Sequence, residues 1–255
     1  AIARLQPRLP ISEFSRETSA SRTMGVCALA HLPAGSEVAL SARLEQLGCR
    51  RHGRWRTQCL YFRPRPRASS AADSDDDAFV ISFSDSAAAQ LLVRGGKAHA
   101  APADAAQSLA STHVQRLKVA ADGSVWQFGD ALVRLGPLFL NAAVAGAVVE
   151  LEYTPCARAD AGAALLHEIL DVLLLPTGDE RTDIPAGGVG AGAFRCTSAP
   201  AAAADGAPEC AADAIFGRGH AAMQWVEMLR AAHGVGRSGD LADLAPYAPP
   251  PPPVT

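Results

Sequence analysis

The sequence predicts an α+β fold built on an antiparallel sheet with helices packed against it, and three observations carry that prediction. In GDALVRLGPLFL, Ala131, Val133 and Leu135 alternate with Leu132, Arg134 and Gly136; in AVVELEY, Val149, Leu151 and Tyr153 alternate with Val148, Glu150 and Glu152. Period-two alternation in two runs joined by a glycine-containing turn is the pattern of paired antiparallel strands. Next, GAALLHEILDVLLLP repeats Leu165, Leu166, Ile169, Leu170, Leu173 and Leu174 at helical spacing until Pro176 stops it. A late run, IFGRGHAAMQWVEMLR, places Met223, Trp225, Val226, Met228 and Leu229 on an apolar arc that can dock on a sheet.

In chain order, residues 1–22 read as a polar leader and MGVCALAHLP as a short apolar strand. Ser36 is the candidate N-cap of a helix whose imperfect apolar face holds Val38, Leu40, Leu44 and Leu47, with Gly48 ending it. A strand follows in GRWRTQCLYFRP, with Trp55, Thr57, Cys59 and Tyr61 on one side, and another in FVISFSD. Between them the 63–78 stretch, basic and then acidic with interspersed prolines, reads as a loose insertion. AQLLV either extends the sheet or makes a turn of helix, and the alanine-rich segment from His99 to Ser111 has helix propensity. HVQRLKVAADGS leads into a strand in which Val114, Leu117 and Val119 keep no single phase, and Asp122-Gly123 is a candidate hairpin turn. Residues 176–213 carry no periodicity and read as a second loose insertion; 235–255 read as a solvent-exposed proline-rich tail.

Composition narrows the function classes. The chain has 255 residues, and its 49% hydrophobic content owes much to alanine runs, while aromatics are only 5%. A formal charge of -3 gives no general reason to seek nucleic acid or an anionic membrane. The six cysteines form no CxxC pair, so buried thiols in a reducing compartment are the simpler reading. The N-terminal residues have no apolar signal core, and LLHEILDVLLL is too short to span a bilayer. Neither a metal nor a cofactor is expected. His167-Glu168 lacks the second histidine of HExxH, since Asp171 stands there, so His167 reads as an exposed helical side chain. Cys27, Cys49 and Cys59 read as small buried apolar residues. GGVGAG at 187–192 lacks the flanking strand and Lys-Ser/Thr of a phosphate loop, and no nucleophile, base and acid cluster, so the chain is not read as an enzyme.

One segment competes for a binding role. Between Arg50 and Arg67, Arg50, Arg51, Arg54, Arg56, Arg63 and Arg65 are interleaved with Trp55, Tyr61 and Phe62, the mixture used for phosphate contact and base stacking. If Arg54 and Arg56 alternate with inward aromatics in a strand, the same residues are a solvated face or the site of an acidic partner. Direct nucleic-acid binding is the less favoured alternative.

The ordered blocks TMGVCALAHLP, FVISFSD, GDALVRLGPLFL, VVELEYTPC and IFGRGHAAMQWVEMLR resemble Mediator subunit 20, the TATA-binding-protein-related family of the transcription Mediator head module. The resemblance implies a single domain over 23–234 with an antiparallel barrel-like sheet flanked by helices and loose insertions. It implies a non-catalytic nuclear protein that forms a direct heterodimer with subunit 18, is tethered through subunit 8, and supports RNA polymerase II initiation. Leu138, Leu140, Tyr153, Trp225 and Leu229 are the candidate interface anchors, each with an internal-core reading beside it.

Overall fold

The computed structural model describes residues 24–65, 77–85, 90–174, 194–195 and 216–235. β1 (Val26–Leu32) leads into α1 (Ser36–Gln46), and β2 (Arg50–Pro64), β3 (Ala78–Phe83), β4 (Gln90–Arg94) and β5 (Lys97–Ala101) follow. After α2 (Ala105–Ala110) come β6 (His113–Phe128), β7 (Ala131–Leu140) and β8 (Ala143–Tyr153), then α3 (Ala159–Leu174), β9 (Phe194–Arg195) and α4 (Arg218–His233). The strands form one antiparallel sheet, in the order β5-β4-β3-β2-β6-β7-β8-β1-β9, curled into a half-barrel.

Strands β6 and β7 leave no room for a side chain where Gly123 lies beside Gly136, since a Cβ on Gly123 would collide with the Leu135 carbonyl oxygen. Trp55, cross-strand from Gly123 on β2, supplies the bulk that the glycine lacks. Asp122-Gly123 is therefore not the expected turn. β6 runs straight through it, and the chain reverses at Gly129-Asp130, where Gly129 takes φ +57. The β7–β8 connection also differs from the glycine turn read in the sequence. Asn141 and Ala142 both have positive φ, 47 and 73, the geometry of a two-residue hairpin turn. Asn141 secures it, because its side-chain Oδ1 accepts the Lys118 backbone N–H at 2.8 Å while the Asn141 backbone N–H donates to the Lys118 carbonyl at 2.8 Å.

α4 lies in the concave side of the half-barrel, touching β1 from one end of the sheet and β4 and β5 from the other. Its buried face, Ala221, Ala222, Trp225, Val226 and Leu229, meets Trp55, Phe79 and Ile81 in the main core. Trp225 lies 6.3 Å from Trp55 between ring centroids, and the Arg230 guanidinium stands 5.4 Å over the Phe79 ring. On the convex side α3 covers β1 and β8, α1 covers β7 and β8, and α2 packs on β6. The leucine stripe of α3 buries Leu166, Leu170 and Leu173 and leaves His167 exposed. A smaller cluster of Phe62, Ala78, Val80 and Ala105 lies under α2. No helix among the described residues is long and apolar enough to cross a membrane.

Other expectations need correction. Gly35, not Ser36, is the N-cap of α1, and Val38 is exposed while Leu40 and Leu44 are buried. The alanine-rich segment divides, its first residues forming β5 and only Ala105–Ala110 a helix, because pairing with β4 overrides alanine's helix propensity. Gln90–Val93 of AQLLV belong to β4. The phase slip in β6 is a register shift opposite Tyr61 and Phe62 of β2, which pair with Leu117 and Gln115. In the 63–78 stretch, Arg63 and Pro64 close β2 and Ala78 opens β3, while 66–76 lie outside the described residues. The 1–22 leader lies outside them too, as do most of 176–213 and all of the tail but Val235. Within 176–213, however, Phe194–Arg195 pairs with Ala30 and Leu29 of β1.

Candidate interaction surface

The two faces of the sheet carry different chemistry. On the concave face, cross-strand register sets Arg134 of β7 opposite Glu150 of β8, with Glu152 two residues on. Arg134 donates from Nη1 to Glu150 Oε1 at 2.8 Å and from Nη2 to Glu152 Oε2 at 2.7 Å and Asp85 Oδ2 at 3.2 Å. Arg218, in the first turn of α4, joins through the same Asp85 oxygen. The remaining carboxylate oxygens are also occupied. Trp225 Nε1–H donates to Glu150 Oε2 at 3.3 Å, and the Gly25 backbone N–H to Glu152 Oε1 at 3.1 Å.

Arg134, Glu150 and Glu152 are all buried. Burial alone would lower the Arg134 pKa, but the two glutamates outweigh it and hold the guanidinium firmly protonated. Burial pushes the Glu150 carboxyl upward against the pull of Arg134 and Arg218, and it pushes the neighbouring Cys27 thiol up as well. A thiol held protonated is a poor nucleophile and a poor metal ligand. The cluster has the donors and acceptors of a structural tie between sheet and last helix; the sequence had shown its members only as polar positions in an alternating pattern.

On the convex face, a row of residues in register runs Gln58 (β2), Ala120 (β6), Phe139 (β7), Val144 (β8). Residues two or four positions away share the face, adding Arg54, Arg56, Lys118, Asp122 and Pro137. This area lies between α2, which packs over Leu60 and Phe62, and α1, which packs on β7 and β8. Arg54 and Arg56 are exposed, Val144 is 55% exposed, and Ala120, Pro137 and Phe139 are partly exposed.

The arginines singled out in the sequence have separate fates. Arg54 Nη2 meets Asp122 Oδ1 at 3.0 Å. Arg63 is half-buried, and its charge bears on the buried pair in which Tyr61 Oη donates to Asp77 Oδ2 at 2.8 Å. Arg65 donates from Nη2 to the Ala110 carbonyl at 3.1 Å, capping the C-terminus of α2. Arg50, Arg51 and Arg56 are exposed. Their aromatic companions are all buried, Trp55 and Tyr61 in the main core and Phe62 in the smaller cluster under α2, and offer no ring to stack on.

The candidate anchors divide as well. Leu138, Trp225 and Leu229 are no more than 1% exposed, so they hold the chain's own core together and present no surface to a partner. Leu140 and Tyr153 are partly exposed, at opposite ends of the β7–β8 pair. Among the described residues no group of three or more His, Cys, Asp and Glu is placed to hold a metal ion.

The family model described as the TATA-binding related factor of subunit 20 of the Mediator complex matches residues 24–230. No curated protein matches the chain. Among solved structures, the chain is similar to one in the Mediator head module of Schizosaccharomyces pombe, with 12% identity, 56% of this chain and 89% of that chain covered, and a TM-score of 0.34. It is also similar to the PH1012 protein of Pyrococcus horikoshii OT3, with 11% identity, 60% and 93% covered, and a TM-score of 0.39. Likeness at this level carries no inference about function.

Proposed function

This chain belongs to the family of subunit 20 of the Mediator complex, a family of transcription regulation, and from that premise we propose that it is a non-catalytic head-module subunit that pairs directly with subunit 18. In this reading it is tethered through subunit 8, works in the nucleus, and presents a rigid surface to the RNA polymerase II initiation machinery. The observation that carries the reading is the family match over residues 24–230, which spans the sheet and most of α4. The interior agrees with a scaffold role, because its charged groups are consumed in tying β7, β8 and α4 together. Of the candidate anchors, Leu140 and Tyr153 remain open to a partner.

Co-expression with subunit 18, followed by size-exclusion chromatography with light scattering, tests the pairing. A one-to-one complex in moderate salt is expected; a monodisperse monomer beside an intact subunit 18 removes the proposal. Replacing Tyr153 with Ala then weakens the complex while the thermal unfolding of the free chain stays close to that of the parent.

The other reading, an adaptor that binds nucleic acid through the Arg50 to Arg67 segment, draws on the exposed Arg50, Arg51 and Arg56. It predicts salt-sensitive binding to a short oligonucleotide, reduced when Arg50, Arg51 and Arg54 are neutralised.

A further inference from the structure

Among the described residues, none covers the apolar strip on the convex face between α1 and α2. In-register neighbours present side chains to the same face of a sheet, so Ala120, Phe139 and Val144 form a continuous apolar row across three strands, widened by Pro137. Beside it stand the exposed Arg54 and Arg56, and Arg54 meets Asp122. Arg56 has no ion pair among the described residues. The concave face shows how differently this chain treats charge where nothing is to dock. There every cation of the cluster meets a carboxylate.

We propose that this face docks an acidic segment with an apolar stripe, carried by a partner protein. The apolar row receives the stripe, and Arg54 and Arg56 receive the flanking carboxylates. An apolar centre with a charged rim is the ordinary anatomy of a non-obligate interface, and the sign of the rim selects an acidic partner and repels a basic one. Nucleic acid fits less well, because the strip offers a single aromatic ring, Phe139, and the other aromatics of β2 are buried on or beyond its borders. The proposal rests on sheet register and charge, and it stands whether or not the chain pairs with subunit 18.

The test uses the full chain and a fluorescein-labelled synthetic peptide in which leucines at helical spacing alternate with Asp and Glu. Controls are the same peptide with Lys in place of every acid and a single-stranded oligonucleotide. The expected result is saturable binding of the acidic peptide that weakens as salt rises, with a tenfold or greater loss in the double variant Arg54→Glu/Arg56→Glu. Val144→Asp is expected to give a similar loss with unchanged thermal unfolding, since that side chain is largely exposed. Equal binding of the Lys peptide, or binding untouched by these variants, overturns the proposal. So does tight binding of the oligonucleotide without the peptide, which reassigns the face to nucleic acid. Peptide binding that emerges only after Asp73, Asp75 and Asp76 are changed to Asn overturns it as well, assigning the face to the chain's own acidic stretch.

Discussion

The concave and convex faces of the half-barrel are made from the same strands, yet among the described residues one is closed over a buried ion cluster and the other carries a short, partly exposed apolar row beside Arg54 and Arg56. On the concave side Arg134, Glu150, Glu152, Asp85 and Arg218 satisfy one another, and Trp225 and Gly25 take up the remaining oxygens. On the convex side Arg54 meets Asp122 at an exposed position, where solvent screens the pair. The difference teaches where charge bears on this fold. Geometry that register fixes, away from water, makes an ion pair indispensable; the same groups on the outer face are free to serve recognition.

The comparison breaks most sharply at Arg134. Replacing Arg134 with Met leaves two buried carboxylates without a cation, a loss on the order of 3–5 kcal/mol, enough to unfold a marginal domain in a urea titration. Retention of parental stability would mean that the cluster is not buried as described. Gly123→Ala comes next. Its methyl group would collide with the Leu135 backbone, and separating β6 from β7 is expected to cost about 2 kcal/mol, read by the same titration.

A third measurement uses pH. His31 and His233 stack edge to face at 4.9 Å between β1 and the end of α4, and burial lowers the pKa of both below 6.5, with His31 lowering His233 further. Because the folded values lie below the unfolded one, these rings contribute stability that is complete above about pH 6.5 and is lost as pH falls through the folded values. The melting temperature of the parent should therefore fall more between neutral pH and about pH 5 than that of His31→Asn/His233→Asn. Parallel curves would remove the histidines from the account. The smallest effect is expected at Arg54, where the change to Ala shifts stability by less than about 1 kcal/mol. A larger loss would show that the outer face also holds the fold together.

Much of the fold was legible from period alone. Strands β7 and β8 alternate from Ala131 to Leu138 and from Gly146 to Tyr153, up to a register shift at Leu138 and Phe139, and helices α3 and α4 carry apolar stripes at helical spacing. Strand β5 was not legible. Its alanines favour a helix in isolation, and only the pairing of Lys97–Ala101 with Gln90–Arg94 makes it a strand. Gly123 looked like a turn residue because glycine marks both reversals and close backbone approach, and sequence does not separate the two. The candidate sites were less legible still. The arginine stretch was visible, but its division into Arg54 on Asp122, Arg65 on α2 and exposed Arg56 depends on partners distant in sequence. The ion cluster was hidden for the same reason, since a glutamate at every second position of a strand looks solvent-facing until Arg134 is placed across from it.

The placement of α4 also governs how the chain comes into being. β1 waits for β8 before it has a neighbour, and the concave side holding Trp55, Phe79 and Ile81 waits for α4, whose Gln224 amide donates to the Cys27 carbonyl 197 residues earlier. A nascent chain on the ribosome therefore carries most of its sheet with the aromatic interior open until the α4 codons have been read and the helix has cleared the exit tunnel. Contacts so distant in sequence make for slow completion and a long exposure of apolar surface. Chaperone cover during synthesis would shield that surface until α4 is in place.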